Sequence, residues 1–392
     1  MRQTVTLGDV CKRVMSGGTP STRKLEFYGG DIPWLRTQEV NFGRIYSTGK
    51  TISEAGLKGS SAKLIPENSV IIAMYGATAG KVAINKVPLT TNQACCNLII
   101  DSSKANYEYI YYHLLNNYDK LLSAATGAAQ QNLGTKQIAA MKIDLPNLVT
   151  QNKIAGVLGA IDKKIEVNRR MNETLEQMGQ ALFQNYFIEE KSKNQAKYTI
   201  GDVANIIDCL HSKKPEQLLE NTGNIYLQLN NIADSGTLNL ANKFYLSDED
   251  YKKWTSRIEA SENDFVITNV GRSGAVAKIP RGVKAALGRN MTAIRLKDKF
   301  MYPGFFSFYL NSGYFKKQVI ANLDHGTILS ALNVKSIPKL QIPNISHVIL
   351  DNSEKQLVNL RTTIEENHNQ IQNLTNLRDL LLPRLISGKT QV

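Results

Sequence analysis

IAGVLGAIDKKIEVNRRMNETLEQMGQALF spans Ile154–Phe183, and its apolar spacing decides how the rest of the chain is read. Ile154, Leu158, Ile161, Ile165, Asn168, Asn172, Leu175, Gly179 and Leu182 recur in alternating steps of four and three. A helix with that spacing keeps those side chains on one stripe, the seam of a coiled coil. Shifted by 199 residues, the spacing returns at Leu357, Leu360, Ile364, Asn367, Ile371, Leu374, Arg378 and Leu381. Ser353-x-x-Gln356 predicts the start of this second helix, as a capping box, and Pro383 predicts its end soon after Leu382. Asn168 and Asn367 hold equivalent seam positions. In an antiparallel pair about a pseudo-twofold axis they could bond each other and fix the register; the alternative is two half-exposed amides.

The duplication extends beyond the helices. VTLGDV (Val5–Val10) returns as YTIGDV (Tyr198–Val203), and GDIPWLRTQEV from Gly30 as GNIYLQLNNIA from Gly223. ENSVIIAMYGATAGKVAI (Glu67–Ile84) is echoed by ENDFVITNVGRSGAVAKI (Glu262–Ile279), and GTKQIAAMKI by NVKSIPKLQI. Four echoes in order, at offsets drifting only from 193 to 199, indicate a tandem repeat. Short β-like runs between glycine-rich turns surround one helix-like segment per copy: NYEYIYYHLLNNYDKLLSAA, then YPGFFSFYLNSGYFKKQVIAN. Each copy reads as an α+β domain. The expected layout is a first domain at 1–150, a central helix at 151–190, a second domain at 191–350, and a distal helix with tail at 351–392. Helices of roughly 30 residues reach about 45 Å, enough to hold two surfaces about 34 Å apart, the length of one turn of a DNA duplex.

Charge follows the same partition. The whole chain carries a net +13, of which the first domain holds +6 and the second +8; the central segment is −1 and the last neutral. Basic globular blocks joined by near-neutral helices suit a polyanion, because neutralising phosphates releases condensed counterions. No stretch approaches the ~18 apolar residues of a membrane span, and the N-terminus resembles no signal peptide. The four cysteines, Cys11, Cys95, Cys96 and Cys209, lack C-x-x-C spacing and read as free thiols. These features together predict a cytoplasmic protein without membrane contact.

Catalytic motifs are not evident. In YGATAGKVAI, Gly76 and Gly80 stand one residue too close for a P-loop, and Val82 replaces the hydroxyl that would bind Mg²⁺. The five histidines are scattered, without metal-ligand spacing. No G-x-S-x-G elbow, dinucleotide fingerprint or N-P-P-[FY] tetrapeptide is found. A composite site built from distant residues stays open.

LGDVCKRVMSGGTPS, GGDIPWLRTQEV, YGATAGKVAI, QNKIAGVLGAIDKKIEVNRRMNETLEQMGQALFQNYF and LRDLLLPRLISGK together resemble the specificity subunits of Type I restriction–modification enzymes. The resemblance runs through both repeats, and the helix motifs are its most specific part. It implies two target recognition domains separated by two helices packed as an antiparallel coiled coil. It also implies a non-catalytic subunit that reads a bipartite, asymmetric sequence in double-stranded DNA, one half per domain. Two modification (methyltransferase) subunits and then restriction (motor/nuclease) subunits would join it. S-adenosylmethionine, ATP and Mg²⁺ would belong to those partners, with none bound by this chain and no metal site in it. Self-association of the isolated chain through exposed helix faces is left open. The alternatives are a DNA-binding adaptor of another defence or regulatory complex, an enzyme with a cryptic site, and a scaffold without a DNA role.

On this reading the polar, glycine-rich loops carry the contacts. Thr19, Ser21, Arg23 and Lys24 in GGTPSTRK are candidate phosphate or base contacts, with Gly17 and Gly18 letting backbone approach phosphate. Arg36 and Gln38 are side chains suited to guanine and adenine edges; Gln228 and Asn230 replace them in the second copy, so the halves should prefer different bases. Thr78 and Lys81 face Arg272 and Ser273 in the alignment, and Gln130, Gln131 and Asn132 correspond to His325, Thr327 and Ser330. Lys213 and Lys214 complete the set, in a first loop where the copies diverge most. Turn chemistry or a solvated face is the bland alternative for each. Trp34 and Tyr28 are read as local core.

Overall fold

The computed structural model describes residues 2–123, 133–189, 198–324 and 330–390. The chain divides into two compact units, Met1–Glu166 with Asn373–Val392, and Val167–Gln372. The division falls inside both long helices, Leu148–Phe183 and His347–Ser387.

In the first unit, strands Cys11–Ser16, Cys95–Ile100, Val70–Ala73, Val82–Asn85 and Arg44–Ile45 form a sheet in that spatial order. The first four pair antiparallel and Arg44–Ile45 joins in parallel. VIIA at Val70–Ala73 is buried throughout because both sheet faces are covered. Its period of two is visible in the packing. Val70 and Ile72 enter one cluster with Tyr109 and Ile110, while Ile71 and Ala73 enter another with Leu35 and Ile65. A smaller sheet places Tyr28–Leu35 between Thr51–Ile52 (antiparallel) and Thr90–Thr91 (parallel). Arg2–Thr6 pairs with Lys142–Pro146 and ties the start of the domain to the approach of the first long helix.

The second unit repeats the order of the first four strands, without a counterpart of Arg44–Ile45 among the described strands. Ala204–Asp208, Met291–Leu296, Phe265–Thr268 and Val276–Lys278 make the larger sheet, and Phe244–Tyr245, Ile225–Leu227 and Ala285–Leu287 the smaller one. Ile225–Leu227 runs antiparallel to Phe244–Tyr245 and parallel to Ala285–Leu287, the same mixed arrangement as in the first copy. Phe265 and Ile267 face one cluster, Val266 the other. The tandem α+β repeat is thus written in strand order as well as in sequence.

The helix-like segment of each copy is two helices, not one. Tyr107–Asn116 is followed by Tyr118–Ser123, and Pro303–Asn311 by Gly313–Ala321. Asn117 turns its amide back to the His113 carbonyl (2.8 Å), and Ser312 caps the next helix by accepting from Phe315 N–H (3.2 Å).

Each unit contains an antiparallel pair of long-helix segments. In the first, Ile154, Ala155 and Leu158 pack in one cluster with Leu382, Leu385 and Ile386. Full burial of such a side chain contributes roughly 1.5–3 kcal/mol. In the second, partners to Asn168, Asn172 and Glu176 fall at Gln370, Asn367 and Arg361, descending as the first helix ascends. Of the predicted seam, Ile154, Leu158, Ile165, Asn168, Asn172, Leu357, Ile364 and Asn367 are buried. Ile161, Leu175, Leu360, Ile371 and Leu374 are half-buried.

Three expectations for the helices are corrected. Ser353 is not a cap: the helix begins at His347 because Leu350 is already buried in the core, and Ser353 Oγ donates to the Ile349 carbonyl inside the helix (2.7 Å). Pro383 does not end it. Burial of Leu382, Leu385 and Ile386 carries the helix on to Ser387, and Gly388 (φ +78°) turns the chain out, with Arg2 donating to the Ile386 carbonyl (2.6 Å). Asn168 and Asn367 do not bond each other. The register sets Asn367 opposite Asn172, one turn along, and Asn168 donates to Gln370 (3.1 Å).

Beside these seams the units differ in charge. In the first, Asp162 accepts from Tyr112 Oη (2.7 Å), Arg378 (3.1 Å) and Arg44 (3.3 Å). Burial opposes the charge on Arg44, but Tyr112, Glu108 and Asp162 outweigh it and raise its pKa. In the second unit, buried Arg361 pairs with Glu176 (3.2 Å) and lies 4.8 Å over the Phe308 ring. Burial there lowers the Arg361 pKa.

Candidate nucleic-acid interface

In both copies the middle strand of the small sheet runs into a single tight turn, Thr37–Glu39 or Leu229–Asn231. The last residue of each turn closes it from behind. Glu39 Oε1 accepts from Arg36 N–H (3.2 Å), and Asn231 Oδ1 accepts from Gln228 N–H (2.8 Å). That closure leaves Gln38 and Asn230 exposed and Arg36 and Gln228 half-buried. The Arg36 guanidinium is braced by Glu39 (3.2 Å), which also accepts from Gly49 N–H (2.7 Å). The Nε2 of Gln228 is buried with no hydrogen-bond partner among the described residues.

A second turn packs against the first in each copy. Gly76 and Gly80 take φ +75° and +78°, and Gly271 and Gly274 take +88° and +83°, values that a side chain strains to adopt. Thr78 Oγ1 donates to the Thr37 carbonyl (3.0 Å). Lys81 Nζ donates to Asn41 Oδ1 (2.7 Å) and lies 5.7 Å over the Phe42 ring. In the second copy Arg272 donates to the Ile232 carbonyl (2.5 Å) and pairs with Asp234. Ser273 Oγ reaches the carbonyls of Asn269 (2.9 Å) and Ser330 (2.8 Å), and Ser330 is exposed.

The first loop corrects a sequence expectation. Gly17 and Gly18 are buried against protein, not presented to a phosphate. A Cβ on Gly17 would stand 2.2 Å from Thr91 O, and one on Gly18 2.3 Å from Ala62 N. Trp34 Nε1 donates to the Gly18 carbonyl (3.0 Å), and Tyr28 Oη to the Pro20 carbonyl (2.6 Å), so both rings are local core. Ser21, Arg23 and Lys24 are exposed, Lys24 lying 4.9 Å over Phe27, and Thr19 donates to Gln93 Oε1. Lys213 and Lys214 are exposed in the second copy. Gln130, Gln131, Asn132, His325 and Thr327 lie outside the described residues.

Within the first unit the structure brings Arg36 and Thr78 to one patch, since Thr78 bonds the carbonyl of the residue next to Arg36. Within the second it brings Lys214, Gln228 and Asn230 to one cleft of about 310 Å³, together with Arg289. Sequence reading missed Arg289 and Gln93, because no echoed motif covers them.

Two further groups bear on chemistry. Asp208, Cys209 and His211 bring ligand-type atoms within 4.8 Å of one another. His211 pairs with Asp208 (2.7 Å), but Cys209 is buried, which raises its thiol pKa and favours the protonated form. Burial also pushes the thiols of Cys11, Cys95 and Cys96 up to about 12. No helix among the described residues is long and apolar enough to cross a membrane.

Residues 2–177 match the family model of the Type I restriction modification DNA specificity domain. The Type I restriction enzyme MjaIX specificity subunit of Methanocaldococcus jannaschii is 27% identical, over 97% of this chain and 91% of its own length. Residues 2–177 thus carry the likeness to that specificity domain, and the similarity to a specificity subunit extends over nearly the whole chain. A second relative, the EcoR124I/EcoR124II specificity subunit of Escherichia coli, is 34% identical over 40% of each chain. The fold is that of the Type I restriction–modification S subunit from M. genitalium, with a TM-score of 0.68 at 16% identity, covering 98% of this chain and 96% of that one. Like a protein built from two copies of one domain, the chain carries two versions of one loop scaffold, and the side chains mounted on them differ.

Proposed function

We propose that each globular domain reads one half of a bipartite, asymmetric DNA target and that the paired long helices set the gap between the halves. The chain itself is non-catalytic on this reading. It docks two modification subunits, and through them restriction subunits, by the outer helix faces where Lys163, Lys164, Arg169 and Arg170 are exposed. S-adenosylmethionine, ATP and Mg²⁺ are supplied on those partners.

One observation carries the proposal. Identically built turns present Arg36 and Gln38 in one domain and Gln228 and Asn230 in the other. Guanidinium and amide groups pair with different base edges, so equal scaffolds with unequal side chains fit a target whose halves differ. The basic excess in both domains supplies affinity independent of sequence.

The test is methylome sequencing of a methylation-free host that co-expresses this chain with its neighbouring modification gene. A split motif, with methyl-adenine in both halves and a fixed unspecified gap, is the expected result. A competent complex that marks no motif would replace this reading with a DNA-binding adaptor outside restriction–modification.

A further inference from the structure

Gln93 and Arg289 occupy the same place in the two domains. Thr90 and Thr91 pair in parallel with Trp34 and Leu35, as Ala286 and Leu287 do with Tyr226 and Leu227. The next backbone bond also matches: Asn92 N–H donates to the Leu35 carbonyl (2.9 Å), and Gly288 N–H to the Leu227 carbonyl (2.8 Å). The residue after each anchor is Gln93 or Arg289, and both are exposed. Each therefore projects from a pinned backbone beside the turn that carries Arg36 and Gln38, or Gln228 and Asn230.

We propose that Arg289 reads a guanine in the half-site of the second domain, and Gln93 an adenine in that of the first. The inference rests on the proposed division of the target between the domains. Arg36 is already held by Glu39 and Arg272 by Asp234, whereas among the described residues no carboxylate pairs with Arg289. Its fork of donors is unengaged and matches the adjacent O6 and N7 acceptors of guanine.

The surrounding cleft favours a base over a phosphate. Lys214 and Arg289 offer donors, but Gln228 and Asn230 bring amide oxygens as well. A phosphate diester presents only acceptors and leaves those oxygens unmatched; base edges present donors and acceptors together. In the first domain, Thr19 donates to Oε1 of Gln93, occupying one lone pair and orienting the amide. The second lone pair and the NH₂ remain for N6–H and N7 of adenine.

The experiment compares the methylomes of wild type, Arg289→Gln, Arg289→Lys and Gln93→Arg, each in the assembled complex with the modification subunits. Arg289→Gln is expected to change one guanine position of one half-site towards adenine, leaving the other half intact. Arg289→Lys, which keeps the charge but loses the fork, should relax that position by about 5- to 150-fold in discrimination. Gln93→Arg should alter one position of the opposite half-site. Binding of the same complexes to duplexes differing only at the affected base pair gives an independent readout. Variants that keep the wild-type motif, or that weaken binding equally on every sequence as a phosphate contact would, overturn the inference while the two-domain reading stands. A wild-type complex without any bipartite motif overturns both.

Discussion

Asn367 Nδ2 donates to Asn172 Oδ1 across 2.8 Å, and both amides are buried where the two long helices meet. Asn172 in turn contacts the Ile364 carbonyl (3.2 Å) and His368 Nδ1 (2.8 Å), so this layer of the seam is polar. Asn367→Leu strands the Asn172 oxygen and is expected to cost about 1–3 kcal/mol in urea unfolding. Asn172→Leu with Asn367→Leu should recover part of that loss, giving a measurable coupling in a double-mutant cycle. Wild-type stability in the single variant would show that the pair contributes nothing.

Asp162 holds two buried or half-buried arginines, so its charge matters more than its volume. Asp162→Leu leaves Arg44 and Arg378 without their shared carboxylate, an expected loss of about 3–5 kcal/mol. Asp162→Leu combined with Arg44→Met should be less damaging than Asp162→Leu alone. Unfolding midpoints that rank the other way would sink the account.

The imidazole of His113 is held neutral. Its pKa is pushed down to about 4, chiefly by burial, with Lys120 adding to the effect. In the unfolded chain it returns to its ordinary value of 6.5. Between those values the unfolded state binds more protons, so stability is full above about pH 6.5 and falls as pH drops towards 4, by roughly 3 kcal/mol in all. His113→Leu should remove that component, flattening the difference between urea midpoints at pH 7.5 and 5.0. An unchanged slope would assign the acid sensitivity elsewhere.

Gly18→Ala forces a methyl group into backbone atoms of Ser61 and Ala62. We expect it to unseat the first loop, breaking the Trp34 bond to Gly18 and shifting tryptophan fluorescence in folded protein, whereas Ser21→Ala at an exposed neighbour should not. Equal spectra for the two variants would return Gly18 to the phosphate-facing role that its sequence context suggests.

The heptads, the repeats and the charge partition were legible because each rests on a periodicity or a sum that many residues share. Strand order followed from none of them; it depends on which runs pair. Arg36 and Arg272 look unengaged in sequence, yet Glu39 braces the Nε of one and Asp234 pairs with the other, local pairings that residue type alone does not reveal. Arg289 and Gln93 were invisible for the opposite reason: their matching placement comes from a strand end, and the two copies share no side chain there. Ser353 and Pro383 carry genuine helix-boundary chemistry, and core burial of Leu350, Leu382 and Leu385 overrides it.

The same 199-residue offset places Asp162 and Arg361 at one position of the two helices. A freshly duplicated gene would have had one side chain at both sites, so opposite charges there mark divergence after the duplication. Each copy has since acquired a docking chemistry of its own: an acid served by Arg44 and Tyr112, and a cation served by Phe308 and Glu176. A globular domain moved from one half to the other must therefore bring its own helix with it.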